Sequence, residues 1–145
     1  MIKKIFSITV ICFSVSFLAQ AENSVLSIKE AIKMVNEGRE KEAEAKLKAV
    51  LAVDPANSAA CVTMGVTLVK QSRWLSALEY LDRAASLDPS NRVAMFMLAR
   101  VYENLEDNEK ALHYWRRYLG SDPVEKYRLI ALRHIAALEG KAEQK

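Results

Sequence analysis

Apolar residues between positions 24 and 125 recur three and four apart, the spacing of a helix face, and no stretch shows the strict alternation of a half-buried strand. A longer period lies over the helical one. Ala43, Leu47 and Asp54-Pro55 return as Ala77, Leu81 and Asp88-Pro89 and again as Ala111, Trp115 and Asp122-Pro123, each 34 positions after its predecessor. Self-similarity at a fixed step of this length marks a repeat architecture whose unit is one supersecondary motif. In register the units run 24–57, 58–91 and 92–125, and each divides into two helices. In the second unit a helix is predicted from about Ser58 to Gln71, capped by Asn57 or Ser58. A break near Ser72-Arg73 then precedes another helix to about Leu87. Asp88-Pro89 closes the unit, because proline disfavours helical geometry in the residue before it.

The recurrent residues predict a core. Ala43, Ala77 and Ala111 fall at one place in each second helix, where anything larger than a methyl would push the paired helices apart. Four residues on, and so on the same face, Leu47, Leu81 and Trp115 fill the space between units. Val50, Ala84 and Tyr118 join them, with Met34, Leu68 and Tyr102 from the first helices. The first unit has Glu30 where the others have Met64 and Leu98, a change that a unit with no predecessor tolerates. Its helix is predicted to begin at Asn23 or Ser24, in preference to a later start at a Ser27/Glu30 capping box. After Pro123 a seventh helix is expected over 124–139, with Tyr127, Ile130, Ala131, Ile135 and Leu138 on one face. Lys126, Arg128 and Arg133 on the other make it an end cap for the stack. Residues 140–145 are expected to fray.

Composition agrees with helix: four glycines and three prolines stand among 145 residues, with 51% apolar and 27% charged positions. Residues 1–21 stand apart. Lys3 and Lys4 precede an apolar run from Ile5 to Leu18 and then Ala19-Gln20-Ala21, the layout of a secretory signal peptide. The run is shorter than the roughly 17 residues needed to span a bilayer. Cleavage after Ala21 would leave a repeat domain over 22–139 with no membrane span. It would also remove two lysines and no acid, lowering the net charge from +3 to +1, and take Cys12 away. Cys61 would then be alone, inside an apolar helical pattern that favours burial over reactivity.

The 34-residue unit resembles the tetratricopeptide repeat, a helix-turn-helix motif that stacks into a right-handed superhelix with an inner ligand-binding groove. The resemblance rests on the second-helix alanines and on the prolines of all three units, and on the small residue of the first helix, here Ala31, Gly65 and Ala99. The family's first-helix tryptophan is replaced by Ser27, Cys61 and Met95. The resemblance implies an all-α superhelix of three such repeats with a capping helix, acting by binding.

Catalysis finds no constellation to rest on. His113 and His134 lie on different predicted helices without a Cys or acidic residue at ligand spacing, so no metal site is expected, and Gly38, Gly65, Gly120 and Gly140 are isolated, so no phosphate loop is expected. No cofactor is called for. A second stripe on the first helices carries the candidate partner surface: Val25, Ile28, Ile32 and Val35 in unit one, Val62, Val66 and Val69 in unit two, and Phe96, Arg100 and Glu103 in unit three. By resemblance it lines the concave groove, apolar over two units and charged at its far end. Packing between first helices accounts for the same residues equally well, and self-association through this face stays open. In relatives that clamp a terminal carboxylate, Lys, Asn and Arg occupy the positions held here by Ile32, Val66 and Arg100, of which only Arg100 could serve. The basic bias of Arg116, Arg117, Lys126, Arg128 and Arg133 fits an ordinary solvated face. The expected activity is therefore that of an exported, non-catalytic adaptor or scaffold in a bacterial envelope assembly, periplasmic in a Gram-negative cell, with a protein or peptide partner and no nucleic acid. A chaperone for an apolar segment of a secreted client is the alternative.

Overall fold

The computed structural model describes residues 22–142; the predicted leader 1–21 and the last three residues of the predicted tail lie outside the described residues. Within them the chain is all helical and superhelical. Helix α1 occupies 22–36, followed by α2 (Glu40–Val53), α3 (Ser58–Lys70), α4 (Trp74–Leu87), α5 (Arg92–Asn104), α6 (Asn108–Gly120) and α7 (Glu125–Ala142). Helix α1 is already helical at residue 22, so Ser27 and Glu30 lie inside it and start no helix. At the other end α7 continues to Ala142, past the predicted end at 139.

Short polar segments punctuate the helices. Asp54 Oδ1 accepts from the Ala56 amide at 3.1 Å, and Asp88 Oδ1 accepts from the Ser90 amide at 3.1 Å. Three residues after each aspartate, Asn57 and Asn91 accept from the amides of Ala60 and Ala94, both at 3.0 Å, and so cap α3 and α5. The four-residue run Asp-Pro-x-Asn thus ends one unit and starts the next. Inside the units the chain turns through a left-handed residue at the same repeat position: Gly38 (φ 77°), Ser72 (φ 58°) and Glu106 (φ 59°). The following amide reaches back five residues each time: Arg39 to the Met34 carbonyl and Arg73 to that of Leu68, both 2.9 Å, and Asp107 to that of Tyr102, 3.0 Å. These bonds help to satisfy helix-end carbonyls, those of Met34 and Leu68 accepting also from the amides of Glu37 and Gln71 at 3.1 Å.

Packing follows the 34-residue register. Ala43, Ala77 and Ala111, and with them Leu47, Leu81 and Trp115, are fully buried in one core that also takes in Ala31, Leu68, Ala99 and Tyr102. Helices pair within units two and three, and the second helices of units one and two pack on the first helix of the next unit. Arginines one repeat apart fasten the units further: Arg83 donates to the Pro55 carbonyl and Arg117 to the Pro89 carbonyl. Glu30 is ion-paired with Lys46 of α2, which explains a charge at a position held elsewhere by Met64 and Leu98. Cys61 is fully buried, and burial pushes its thiol pKa up, as befits a packing residue.

The cap enters out of phase. Ala131, the buried small residue of α7, comes eight residues after Pro123, whereas Gly65 and Ala99 come ten after Pro55 and Pro89. Helix α7 nonetheless covers α6 as expected, with Ala131 and Leu138 buried, Ile130 and Ile135 half-buried and Tyr127 at the edge. A polar joint secures it. Trp115 Nε1 of α6 donates to Glu103 Oε1 of α5 at 3.0 Å, His134 Nδ1 of α7 lies 2.9 Å from the same oxygen, and its ring stacks on Trp115.

A second polar joint ties unit one to unit two and sets a pH dependence. The buried Glu44 carboxylate is paired with Lys48 Nζ at 2.8 Å, Gln71 Nε2 at 3.1 Å and Arg73 Nη1 at 2.8 Å. Lys48 foremost, then Gln71 and Arg73, hold its pKa down to about 2 against the upward push of burial. A carboxylate depressed in the folded state adds stability above its unfolded pKa, and that stability is lost as pH falls through the folded value. Glu44→Gln should therefore lower stability by about 1–3 kcal/mol at pH 7 and flatten the acid limb between about pH 4.5 and 2. Denaturant midpoints measured across that range check this; parallel wild-type and variant curves would exclude Glu44 as the source.

Candidate functional site

The first helices of successive units lie side by side, α3 against α5, with Lys70 Nζ of α3 donating to the Val35 carbonyl at the end of α1 at 2.9 Å. The second helices pack behind them. On each first helix the buried small residue, Ala31, Gly65 or Ala99, marks the direction of the partner helix. At about 100° per residue, the positions six and two before it and one and five after it point about 100–160° away from that direction. These are Val25, Lys29, Ile32 and Asn36 on α1, Ala59, Thr63, Val66 and Lys70 on α3, and Val93, Met97, Arg100 and Asn104 on α5. Together they form one outward wall of the three first helices.

Exposure divides the predicted stripe along this line. Val25, Ile32 and Val93 are 52%, 45% and 49% exposed, and Val66, Met97 and Arg100 are half-buried. Ile28, Val35, Val62 and Val69 are instead buried in the core. They lie only about 40–60° from the small residue, where the neighbouring unit covers them. At the equivalent positions of unit three, Phe96 and Glu103 are half-buried and already engaged. The Phe96 ring meets Trp115, Tyr118 and Tyr127 edge-on at centroid distances of 5.0, 5.3 and 6.0 Å. Glu103 serves Trp115 and His134. Of the ten predicted residues, Val25, Ile32, Val66 and Arg100 thus share the open face. The other six hold it in place.

Several wall residues lie outside the predicted stripe: Lys29, Asn36, Ala59, Thr63, Lys70, Val93, Met97 and Asn104. The signal that finds them is phase relative to the small residue rather than hydrophobicity. Thr63 is buried despite its place on the wall, with its hydroxyl donating to the Ala59 carbonyl at 2.8 Å. No wall position carries a carboxylate, while Lys29, Lys70 and Arg100 bring three cations. Arg100 has no side-chain hydrogen-bond or ion-pair partner among the described residues. The described residues hold no group of His, Cys, Asp and Glu arranged to bind a metal, and no described helix is long and apolar enough to cross a membrane. What the face offers chemically is contact: aliphatic surface bordered by positive charge.

Residues 62–126 match the family model of the tetratricopeptide repeat. No curated protein matches the chain by sequence. Among solved structures, the Yersinia enterocolitica type III secretion chaperone SycD, in complex with a peptide of the translocator YopD, superposes with a TM-score of 0.77 at 12% identity over 83% of this chain and 95% of that one. The first tetratricopeptide domain of Spaghetti (RPAP3), bound to an HSP90 peptide, gives 0.77 at 16% identity over 84% and 94%. MamA gives 0.73 at 20% identity over 89% and 74%. At these identities the likeness is one of fold.

Proposed function

We propose that this chain, a tetratricopeptide-repeat protein, acts by holding a segment of another protein along the open face of α1, α3 and α5, as a non-catalytic adaptor or scaffold. One observation carries the reading: Val25, Ile32 and Val93 stand about half exposed, with Val66 half-buried, on one aliphatic face of the first helices. Apolar surface aligned over several turns suits an extended or helical segment with aliphatic side chains. The two peptide-bound structures of similar fold support the same use of the scaffold. The leader-like residues 1–21 support a place in the bacterial envelope, within a secretion, pilus or envelope-biogenesis assembly. The likeness in fold to SycD favours a second reading, a chaperone for an apolar segment of a secreted client.

Two measurements separate these readings from each other and from mere packing. A reporter fused to residues 1–30 should be exported; its retention in the cytoplasm would favour the chaperone and remove the envelope adaptor. For the groove, a photo-crosslinking residue at position 66 should capture a partner that one at the exposed position 75 of α4 does not. Val66→Glu should abolish that partner's binding while costing less than about 1 kcal/mol, because Val66 is only half-buried. Partner binding that survives Val66→Glu would place the interaction elsewhere.

A further inference from the structure

The partner's chemistry can be narrowed further, on the premise that the open face is where it binds. Each wall helix carries a pair of an aliphatic side chain and a cation a single turn apart: Lys29 and Ile32 on α1, Val66 and Lys70 on α3, Met97 and Arg100 on α5. The three cations sit at different repeat positions, so the 34-residue period does not impose them. Carboxylates are absent from the wall, and the nearest on α5, Glu103, is occupied by Trp115 and His134. Among the described residues Lys29 is exposed with no partner, Lys70 spends one of its three donors on the Val35 carbonyl, and Arg100 is half-buried with no side-chain partner. A half-buried guanidinium is less screened than an exposed one and gains more from a counter-charge.

We propose that the groove selects an acidic aliphatic segment, one whose Leu, Ile or Val side chains lie on Ile32, Val66 and Met97 while internal Asp or Glu carboxylates pair with Lys29, Lys70 and Arg100. Charge complementarity decides this choice. A basic segment would set like charges against three cations, and a neutral one would leave them without counter-charges. Recognition is by side-chain carboxylates spread along the segment, because the cations are distributed over three helices instead of gathered at one end.

The test uses terminally blocked twelve-residue peptides of Leu and Val interspersed with three Glu, three Gln or three Lys, binding the purified protein in fluorescence anisotropy. The Glu peptide should bind at least tenfold more tightly than the Gln peptide, and the Lys peptide weakest, with the Glu preference shrinking as salt rises. Arg100→Gln should remove more of the preference than Lys29→Gln, and the triple variant with Lys70→Gln should abolish it while keeping affinity for the Gln peptide. Equal binding of the Glu and Gln peptides, if lost in Val66→Glu, would overturn the charge selection and leave the groove reading intact. Binding indifferent to Val66→Glu, or no binding at all, would overturn both. Displacement of the Glu peptide by phosphatidylglycerol vesicles would reassign the cations to a lipid surface.

Discussion

Trp115→Ala is expected to lower stability by about 3–5 kcal/mol and to loosen α7 from the stack. The side chain is fully buried and is the largest in the core. It meets Phe96 edge-on at 5.0 Å, packs near Tyr118 and carries the His134 ring on its face at 4.9 Å. Three helices therefore converge on one indole. Its removal leaves a cavity with aromatic walls that cannot close without moving α7, and it takes a donor from Glu103. Trp115→Phe separates the two terms: most of the volume stays and only the Nε1–H bond to the carboxylate goes, a loss of about 1–3 kcal/mol. Denaturant midpoints report the energies, and amide exchange in α7 reports the release of the cap. A Trp115→Ala protein as stable as the wild type would remove the indole from its place as anchor of the cap.

Trp115 was legible in the sequence because it stands 34 residues after Leu81, which itself stands 34 after Leu47. The same register placed Ala43, Ala77 and Ala111 in the core, and cap chemistry offered Asn57 or Ser58 at the head of α3, of which Asn57 accepts from the Ala60 amide. Periodicity reports what every unit must do to stack, and stacking is what it predicted. The open face of the first helices was only half legible. Ile28 and Ile32 are the same residue type one turn apart, yet one is buried and the other open. What separates them is the angle at which the next unit arrives, a property of the superhelix and not of either residue. Lys29 and Lys70 look like ordinary solvated charges until the first helices are set side by side. Glu44 and Glu103 carry no warning in composition either, because their partners Arg73 and His134 are 29 and 31 residues distant. The out-of-phase entry of α7 was likewise hidden, since a cap has no following unit to hold it to the period.

Gly65→Ala is expected to reverse the sign of its effect when Leu81 is also replaced by alanine. A Cβ built at Gly65 would lie 2.5 Å from both Cγ and Cδ2 of Leu81, closer than real carbon contacts allow. Ala31 and Ala99 occupy the same repeat position and are buried without difficulty, so the close approach belongs to unit two alone. Alanine in a helix interior gains about 1 kcal/mol over glycine, whereas overpacking costs about 1–3 kcal/mol. Cγ is not the yielding tip of a side chain, and Leu81 is fully buried. The steric cost therefore wins, and Gly65→Ala should destabilise the wild type by up to about 2 kcal/mol. Leu81→Ala alone should cost about 2–5 kcal/mol as a cavity. In that background the obstructing atoms are gone, and Gly65→Ala should stabilise by about 1 kcal/mol. A double-mutant cycle on denaturant midpoints measures the difference, expected at about 1–3 kcal/mol. If Gly65→Ala destabilises both backgrounds equally, the glycine is required by something other than Leu81. If it stabilises both, α3 and α4 yield at this crossing, and the small residue sets their approach less tightly than the 34-residue register implies.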